Sequence, residues 1–357
     1  MEEMSLQSKI ITLGLRHLWN LKVQIGNNLD ILMNVIDIHA HVVFEKTLNS
    51  IKDYGPEIGG NIDKPWFRVG DYKLEGVRYR DTPFMDINLR LEAMAKMGID
   101  YQVLSPNPIT YFHFIDSKSA IEYCKLHNDI MAETIMRCPE SLGGFASLPM
   151  QDPEEASKEL ERSINELGLL GGYIGTDFPL GFNQPQLDQL YATFVELDVP
   201  LFIHPAPQGI NGPFKDNRLD SFSLDLTIGF SNDETIALGN IIFGGVLKRH
   251  PNLDICISHG GGNIAFLAGR LSLAAEFRHT SPEWIREKGE FIKQLQLIWF
   301  DNHVHQMPSL DLLETIVGKN RQVLGTNFLG WDQPDINSLK STPLYLAENA
   351  KKLLRLS

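Results

Sequence analysis

Two histidines spaced two residues apart are the first feature of this sequence that could carry chemistry. They belong to the run Asp37-Ile38-His39-Ala40-His41, which ends an apolar stretch typical of a strand. Side chains two positions apart on a strand share a face, so His39 and His41 can direct both imidazoles at one point. A third histidine, His204, also ends a predicted strand. We therefore predict that His39, His41 and His204 bind one divalent metal ion, because three protein ligands with an open position are typical of a catalytic site.

The metal ion that this ligand set favours is zinc, with manganese as the alternative, since imidazole nitrogen suits zinc and its first-row neighbours. The competing interpretation of an isolated pair of histidines is a pair of surface residues. Against it, four of the eleven histidines fall at the ends of predicted strands. The fourth is His259, which is followed by three glycines that expose its ring. We predict that His259 is an acid/base group beside a water on the metal ion, with a buried core histidine as the alternative. Asp37 is expected to orient a ligand.

Eight short apolar runs, separated by helical patterns, position these histidines. Strands that alternate with helices predict a parallel sheet, and eight such units are the number that closes an α/β fold of the (β/α)8 TIM barrel type. Active sites of such barrels lie at the C-terminal ends of the strands, where the four histidines fall. The predicted strands are residues 34–38, 100–105, 144–148, 172–176, 200–204, 253–258, 295–300 and 322–325.

The domain organisation predicted from the sequence is a single barrel, residues 33–357, preceded by a helical extension, residues 1–32. The alternative for the first segment is a cleaved targeting peptide. An insert at 44–90 follows the first strand and is long enough to need a functional explanation. Within it, residues 67–69 and 77–80 predict the two strands of a hairpin beside the barrel mouth.

The overall charge excludes several classes of partner. The chain has 32 Lys and Arg against 45 Asp and Glu, a formal net charge of −13, which disfavours nucleic acid and anionic membrane surfaces. The three cysteines lack CxxC spacing and cannot all pair, so we expect reduced, cytoplasmic surroundings. No apolar run reaches the roughly 20 residues that would span a bilayer.

The sequence resembles the amidohydrolase superfamily and, within it, the aminocarboxymuconate-semialdehyde decarboxylase family. The resemblance extends over most of residues 34–357. Its motifs are Asp37-Ile38-His39-Ala40-His41, Ile203-His204-Pro205, the block 238–263 with Gly244-Gly245-Val246-Leu247 and His259-Gly260-Gly261-Gly262, and the segment 349–356.

This resemblance implies roles for individual residues. It implies that His39, His41 and His204 bind the metal ion and that His259 activates water. It also implies that Arg78, in the insert, and Arg270 hold the carboxylates of a small-molecule substrate, a role that suits guanidinium groups. In members of the family the second arginine can reach a neighbouring subunit's site, which implies a homodimer. The alternatives are a solvated hairpin charge for Arg78 and an ordinary helix arginine for Arg270.

The sequence departs from the family pattern at the eighth strand. The family has Gly-Ser/Thr-Asp there, with the aspartate as metal ligand and proton acceptor, whereas this chain has Gly325-Thr326-Asn327-Phe328. Asn327 can offer an amide oxygen to the metal ion but cannot take a proton. We assign Asn327 to both the metal site and the catalytic site, with Asp332 as the alternative ligand. His303 and His305 are predicted to be rim or interface residues, and the run Tyr111-Phe112-His113 is predicted to line the pocket wall.

The function that these residues predict is a metal-dependent decarboxylase of a planar unsaturated or aromatic carboxylic acid, working without an organic cofactor. A metal-dependent hydrolase or hydratase of a small carbonyl or alkene acid is the first alternative, because related barrels perform both kinds of reaction. A barrel without catalytic activity is the second.

Overall fold

The parallel strands of this chain are buried on both faces. A computed structural model describes residues 33–178, 180–207, 210, 216–335, 339 and 341–356. The predicted helical extension, residues 1–32, lies outside these residues. The strands are β1 (Ile36–Val42), β2 (Glu57–Gly60), β3 (Pro65–Val69), β4 (Tyr72–Glu75), β5 (Tyr101–Pro106), β6 (Leu142–Gly144), β7 (Ala146–Ser147), β8 (Gly172–Gly175), β9 (Leu201–His204), β10 (Ile255–Ile257), β11 (Trp299–Asp301) and β12 (Gln322–Val323).

Helices follow most of the parallel strands. The α-helices of the described residues are α1 (Ile87–Met97), α2 (Ser117–Ile135), α3 (Pro153–Asn165), α4 (Asp188–Glu196), α5 (Phe230–Phe243), α6 (Val246–Arg249), α7 (Ile264–Phe277), α8 (Glu290–Leu295), α9 (Met307–Val317) and α10 (Leu344–Leu354). Their starts follow the local sequence: Asp86 and Asp152 accept hydrogen bonds from the first backbone N–H groups of α1 and α3. None of these helices is long and apolar enough to cross a membrane.

The parallel strands form two sheets in chain order. One contains β1, β5 and β6, and the other runs from β7 to β12. Phe145 alone separates β6 from β7, and its backbone N–H donates to Leu104 on β5 over 2.9 Å. At the other edge, Ile38 of β1 donates to the carbonyl of Leu324, next to β12, over 3.0 Å. The two parallel sheets are therefore connected at two places.

All eight predicted strands overlap observed ones, with one displaced start. The seventh was predicted at 295–300, but Leu295 ends α8 and β11 begins at Trp299. Leu295 and Phe291 are the buried positions of that short helix. In the sequence, these apolar residues continue directly into those of the strand, so hydrophobicity alone could not separate the helix from the strand.

Two apolar clusters cover the strands. The first joins both sheets to the buried face of α10, and includes Ile36, Val103, Phe145, Tyr173, Phe202, Trp299, Val323, Ala347 and Leu353. The second joins the strands to the other helices, and includes Leu104, Ile174, Ile203, Ile257, Phe300, Met94, Leu160, Phe194 and Leu238. Burial on both sides explains why the strands are continuous apolar runs without alternation.

The insert forms a separate antiparallel sheet in the order β2, β3, β4. The predicted first hairpin strand is confirmed, but the second, at 77–80, is wrong. The chain reverses within Gly70-Asp71 and pairs Val69 with Tyr72, so β4 follows at once. Gly70 has φ 53°, a conformation that glycine adopts readily in such tight turns.

Candidate metal centre

Three histidines meet at the C-terminal ends of β1 and β9. The Nε2 atoms of His39 and His41 are 3.3 Å apart, which fits side chains two positions apart on one strand. The His204 ring centroid lies 4.9 Å from that of His39 and 4.7 Å from that of His41. All three side chains are buried. The structure thus brings together the three residues predicted as metal ligands.

The other ring nitrogen of each histidine is occupied by an acceptor. His39 Nδ1 lies 2.7 Å from Asp301 Oδ2, and His41 Nδ1 lies 3.0 Å from the carbonyl oxygen of Pro106. His204 Nδ1 lies 2.6 Å from the carbonyl oxygen of Pro205. Because these oxygens only accept, each Nδ1 carries the proton and each Nε2 keeps its lone pair.

One buried atom shows that the site suits a cation. His204 Nε2 is inaccessible to solvent and has no hydrogen-bond partner. An unpaired buried nitrogen costs free energy, and a metal ion would satisfy it. Burial lowers the pKa of His39 and of His204 well below its usual range, and lowers that of His41 to about 3. The imidazoles are therefore neutral near pH 7, which is the form that binds divalent metals.

Asp301, at the end of β11, is the carboxylate that orients the ring of His39, one of the predicted metal ligands. The same role was predicted for Asp37, which contacts the backbone N–H of His39 instead of its ring. The pairing of β1 with β5 shifts register between Asp37 and Ala40. The Asp37 carboxylate accepts from Gln102 and Thr326 and from the backbone of His39, so it ties neighbouring strands together. The available signal for Asp301 was its position at the end of a predicted strand.

The buried Arg90 on α1 supports this region and was not predicted from the sequence. Its guanidinium donates to the side chain of Gln102 over 2.7 Å and to the carbonyl oxygen of His41 over 2.6 Å. Burial lowers the pKa of Arg90 to about 9. Since Gln102 in turn donates to Asp37, a continuous chain of hydrogen bonds fixes the end of β1.

His259 lies beside the three histidines, immediately after β10. Its ring centroid is 5.0 Å from those of His39 and His204, and its side chain lines the cavity. One ring nitrogen from each of His39, His204 and His259 lies within 4.8 Å of the other two. His259 has φ 47°, and Gly260, Gly261 and Gly262 also have positive φ, so the backbone turns tightly here and directs the ring into the cavity.

Glu234 on α5 is the partner of His259 and was not predicted from the sequence. His259 Nδ1 lies 2.8 Å from Glu234 Oε1, which also accepts from the hydroxyl of Ser258. Burial acts to lower the pKa of His259, but the charge and hydrogen bond of Glu234 outweigh it and raise the pKa to about 9. In the metal-free protein His259 is therefore an imidazolium near neutral pH, and its ring lines the cavity.

Asn327 lines the cavity but is bonded to a carboxylate. Its side-chain Nδ2 donates to Asp332 Oδ1 over 2.7 Å. Asn327 has φ 46°, and a Cβ on Gly330 would stand 2.5 Å from its Nδ2, so a glycine at 330 leaves room for the amide. Both candidates for the eighth-strand position, Asn327 and Asp332, thus lie in the cavity wall as a hydrogen-bonded pair.

His303 and His305 were both predicted to be rim or interface residues, and the structure agrees for His305 alone. His305 is half exposed, but the side chain of His303 is 1% exposed and lines the cavity. The backbone N–H of His303 donates to Asp301 Oδ1 over 3.1 Å, which folds the loop after β11 back over the site. His303 was therefore wrongly predicted to be a rim residue on the ground that it follows the end of the strand.

The prediction that Tyr111, Phe112 and His113 line the cavity is wrong. Tyr111, Phe112 and His113 lie behind the cavity: Tyr111 bonds to His204 Nδ1 over 3.2 Å, and His113 pairs with Asp177. The residues of this loop that line the cavity are Asn107, Pro108 and Ile109, because the 3-10 turn Pro108–Thr110 reaches it first.

Neither predicted arginine reaches the cavity within one chain. The Arg78 guanidinium is bonded to Asp81 and to the carbonyl oxygen of Arg80, and its side chain is 43% exposed, although Val77 and Tyr79 on either side line the cavity. Arg270 is exposed on α7. Their role as carboxylate-binding residues stays a prediction.

The cavity has a volume of about 690 Å³. Its floor is the histidine cluster, and its walls are largely apolar. Among the described residues that line it there is no lysine or arginine. The wall residues include Tyr72, Leu74, Phe84, Ile109, Phe230, Phe266, Leu312 and Trp331. The cavity therefore combines apolar walls, which suit a planar molecule, with a floor of imidazoles.

The family model for amidohydrolases matches residues 36–355, so the chain belongs to the amidohydrolase family. The 2-amino-3-carboxymuconate-6-semialdehyde decarboxylase of Dictyostelium discoideum is 28% identical over 304 residues, which are 82% of this chain and 81% of that protein. The resemblance indicated by the motifs is thereby confirmed.

Two further similarities concern a second relative and a solved structure. A 2-keto-4-carboxy-3-hexenedioate hydratase from a Sphingobium species is 26% identical over 314 residues, 84% of each chain. The crystal structure of a dihydroxybenzoic acid decarboxylase from Polaromonas sp. JS666, with bound manganese and the inhibitor 2-nitroresorcinol, superposes with a TM-score of 0.69 at 21% identity. That superposition covers 90% of this chain and 97% of the other. It shows that the two chains share a fold.

Proposed function

We propose that this protein is a metal-dependent decarboxylase of a planar unsaturated or aromatic carboxylic acid that needs no organic cofactor. The observation that carries the proposal is the meeting of the imidazoles of His39, His41 and His204, whose ring centroids lie 4.7–5.0 Å from one another. His259, bonded to Glu234, lies beside them. The decarboxylases among the relatives support the same reaction class.

The residues of the site suit the steps that such a reaction needs. A divalent ion held by His39, His41 and His204 would supply the positive charge that draws electron density from the substrate as its carboxyl group leaves. Loss of CO₂ leaves an electron pair on carbon, and a proton must replace the lost group. His259 would supply that proton, and Glu234, 2.8 Å from His259 Nδ1, would stabilise the charged ring. The apolar walls would hold the planar body of the substrate.

A second candidate is the hydration of an unsaturated acid. The Sphingobium hydratase, similar over 84% of both chains, favours this alternative. Both reactions use a metal ion and a proton donor, so the site alone does not separate them. Zinc- and manganese-loaded protein should be incubated with hydroxybenzoates and unsaturated dicarboxylates. Release of CO₂ supports the decarboxylase, the addition of the mass of water supports the hydratase, and neither product from any substrate contradicts both.

The proposed architecture is a single (β/α)8 barrel. The two contacts between the parallel sheets, at Phe145 and between Ile38 and Leu324, support one closed ring of strands. The insert sheet lies against its mouth, because Phe67 and Tyr79 pack in one cluster with Ile109 and Phe112 from the loop after β5. For the metal ion we favour zinc from the ligand set, although the Polaromonas relative binds manganese.

We also propose that the protein is a homodimer in which α7 meets a second copy. Phe266, Arg270, Leu273 and Phe277 recur at the spacing of one helix face, and Phe266 and Phe277 are 82% and 78% exposed. An apolar face of this kind is typical of an interface between protein chains. Such a dimer would bring Arg270 towards the neighbouring site. A cytoplasmic location is a further prediction, which cell fractionation would test.

A further inference from the structure

A second cluster of metal-binding side chains lies in the wall of the same cavity. His303 and His305 repeat the two-residue spacing of the first pair, directly after β11. Both Nε2 atoms approach Asp332 Oδ2, at 3.1 Å for His303 and 3.3 Å for His305. The two imidazole rings are 4.7 Å apart at 82°, so they approach the carboxylate from different directions.

These distances match the ligands of a tetrahedral ion. Ligands about 2.0–2.2 Å from a tetrahedral zinc ion lie roughly 3.3–3.6 Å from one another. The separations of 3.1 and 3.3 Å lie at the long end of N–H···O hydrogen bonds and at the short end of that range. Two imidazoles and one carboxylate are also a recurrent donor set for zinc and neighbouring divalent metals.

The cluster is separate from the first centre but adjacent to it. It shares no residue with His39, His41 and His204, yet the His303 ring centroid lies 5.8 Å from that of His39 and 5.6 Å from that of His259. Asn327 donates to Asp332 Oδ1, so the amide turns the second oxygen, Oδ2, towards the two histidines. At the position where the family has an aspartate, this chain has an amide that fixes a different carboxylate.

We propose that His303, His305 and Asp332 bind a second divalent cation of the zinc class, next to the ion on His39, His41 and His204. The donor set carries one negative charge, whereas the three histidines of the first set are neutral. In a cavity whose described lining has no lysine or arginine, the second ion would add a fixed positive charge. If the proposed function is right, that charge would hold an anionic group of the substrate.

Metal stoichiometry tests this proposal without any measurement of activity. Protein freed of metal by a chelator should be titrated with Zn²⁺ by calorimetry, and the ions per chain counted by elemental analysis after desalting. The wild type should bind two ions. The variants His303→Gln and Asp332→Asn should each bind one ion. In both variants the new side chain is close in shape to the one it replaces. The same titrations with Co²⁺ should show the loss of one absorbing species.

A matched control is available outside the cavity. His250 Nε2 lies 3.0 Å from Asp188 Oδ1, a histidine–carboxylate pair of similar geometry. His250→Gln should keep two ions, and circular dichroism of the metal-free variants should show that all of them fold. A wild type that binds one ion would overturn the proposal, as would two ions in Asp332→Asn. Loss of every ion from Asp332→Asn would show that Asp332 serves the first centre.

Discussion

Asn327 donates its side-chain amide to the carboxylate of Asp332 over 2.7 Å, in the wall of the cavity above the histidine cluster. Asp332 also accepts from His303. Burial acts to raise the pKa of Asp332, but the hydrogen bond and charge of His303 outweigh it and hold that pKa well below its usual range. The amide at position 327 therefore has a structural partner that an aspartate there could not keep.

Replacement of Asn327 by Asp should reduce turnover. The new carboxylate would lose the hydrogen bond to Asp332 and place two like charges side by side, which raises the pKa of one of them. We expect turnover to fall roughly 10- to 100-fold, the usual effect of losing an outer hydrogen bond at a metal site. The pKa of the acidic limb of the pH–rate profile should rise. A rate equal to or above that of the wild type would show that Asn327 is not adapted to this reaction.

His259 should be separable from the metal ligands. His259→Asn should keep the ion on the three histidines and lose about 10²–10⁴-fold in turnover, the usual contribution of a positioned acid or base. Elemental analysis and steady-state kinetics on the same preparation measure both properties. Loss of the ion in this variant would instead make His259 a ligand.

Glu234→Gln should lower the pKa of His259 in metal-free protein. Burial would remain while the carboxylate charge would not, so the pKa should fall from about 9 to its ordinary value of 6.5 or below. NMR titration of the His259 ring measures it. Because the pKa of His259 is higher in the folded protein than in the unfolded chain, its pairing with Glu234 stabilises the fold. This stabilisation is complete below about pH 6.5 and is lost as the pH rises through about 9.

The loss of this stabilisation at high pH should be measurable by comparing the wild type with Glu234→Gln. In metal-free samples the free energy of unfolding of the wild type should exceed that of Glu234→Gln most at or below pH 6.5. The difference should shrink between pH 6.5 and 9. A difference that grew over this interval would contradict the assignment of an imidazolium paired with Glu234.

The histidines of the first centre could be predicted from the sequence because their geometry is local. Two positions on one strand share a face, and strand ends of a parallel fold meet at one edge, so His39, His41 and His204 needed no knowledge of loops. The eight strands were predictable for a similar reason, since buried strands are short apolar runs between turn residues.

The partners of those histidines depend on contacts between distant segments. Glu234 reaches His259 from a helix 25 residues earlier, and Asp332 reaches His303 from a loop 29 residues later. Neither contact follows from periodicity. His303 was misplaced because a loop that folds back over the strands has no sequence signal comparable to a turn or a cap. Alternation along β1 did not show whether Asp37 contacts the ring or the backbone of His39, and in the structure it contacts the backbone N–H.

The position of Arg270 can be tested by mixing inactive variants. Arg270→Ala and His259→Asn should each be inactive or nearly so if both residues serve the reaction. If Arg270 acts in the neighbouring subunit, a mixed dimer has one intact site. An equimolar mixture that exchanges subunits fully should then recover about one quarter of wild-type activity, since half of the dimers are mixed and each has one working site.

The control for this experiment is a pair of variants within one site. Mixing His259→Asn with Glu234→Gln should give no recovery beyond the sum of the two, because these residues touch each other in one chain. No recovery in the Arg270 mixture, in protein shown to be dimeric by sedimentation, would place Arg270 in its own subunit or outside the site.

The proposed function depends most on an ion bound by His39, His41 and His204. The most direct test is the zinc content of the double variant His39→Ala and His41→Ala, made in the Asp332→Asn background so that only the first centre can bind. One remaining imidazole is too few ligands to hold a divalent ion, so elemental analysis should find one zinc per chain in the background protein and none in the combined variant. An unchanged zinc content in the combined variant would contradict the account.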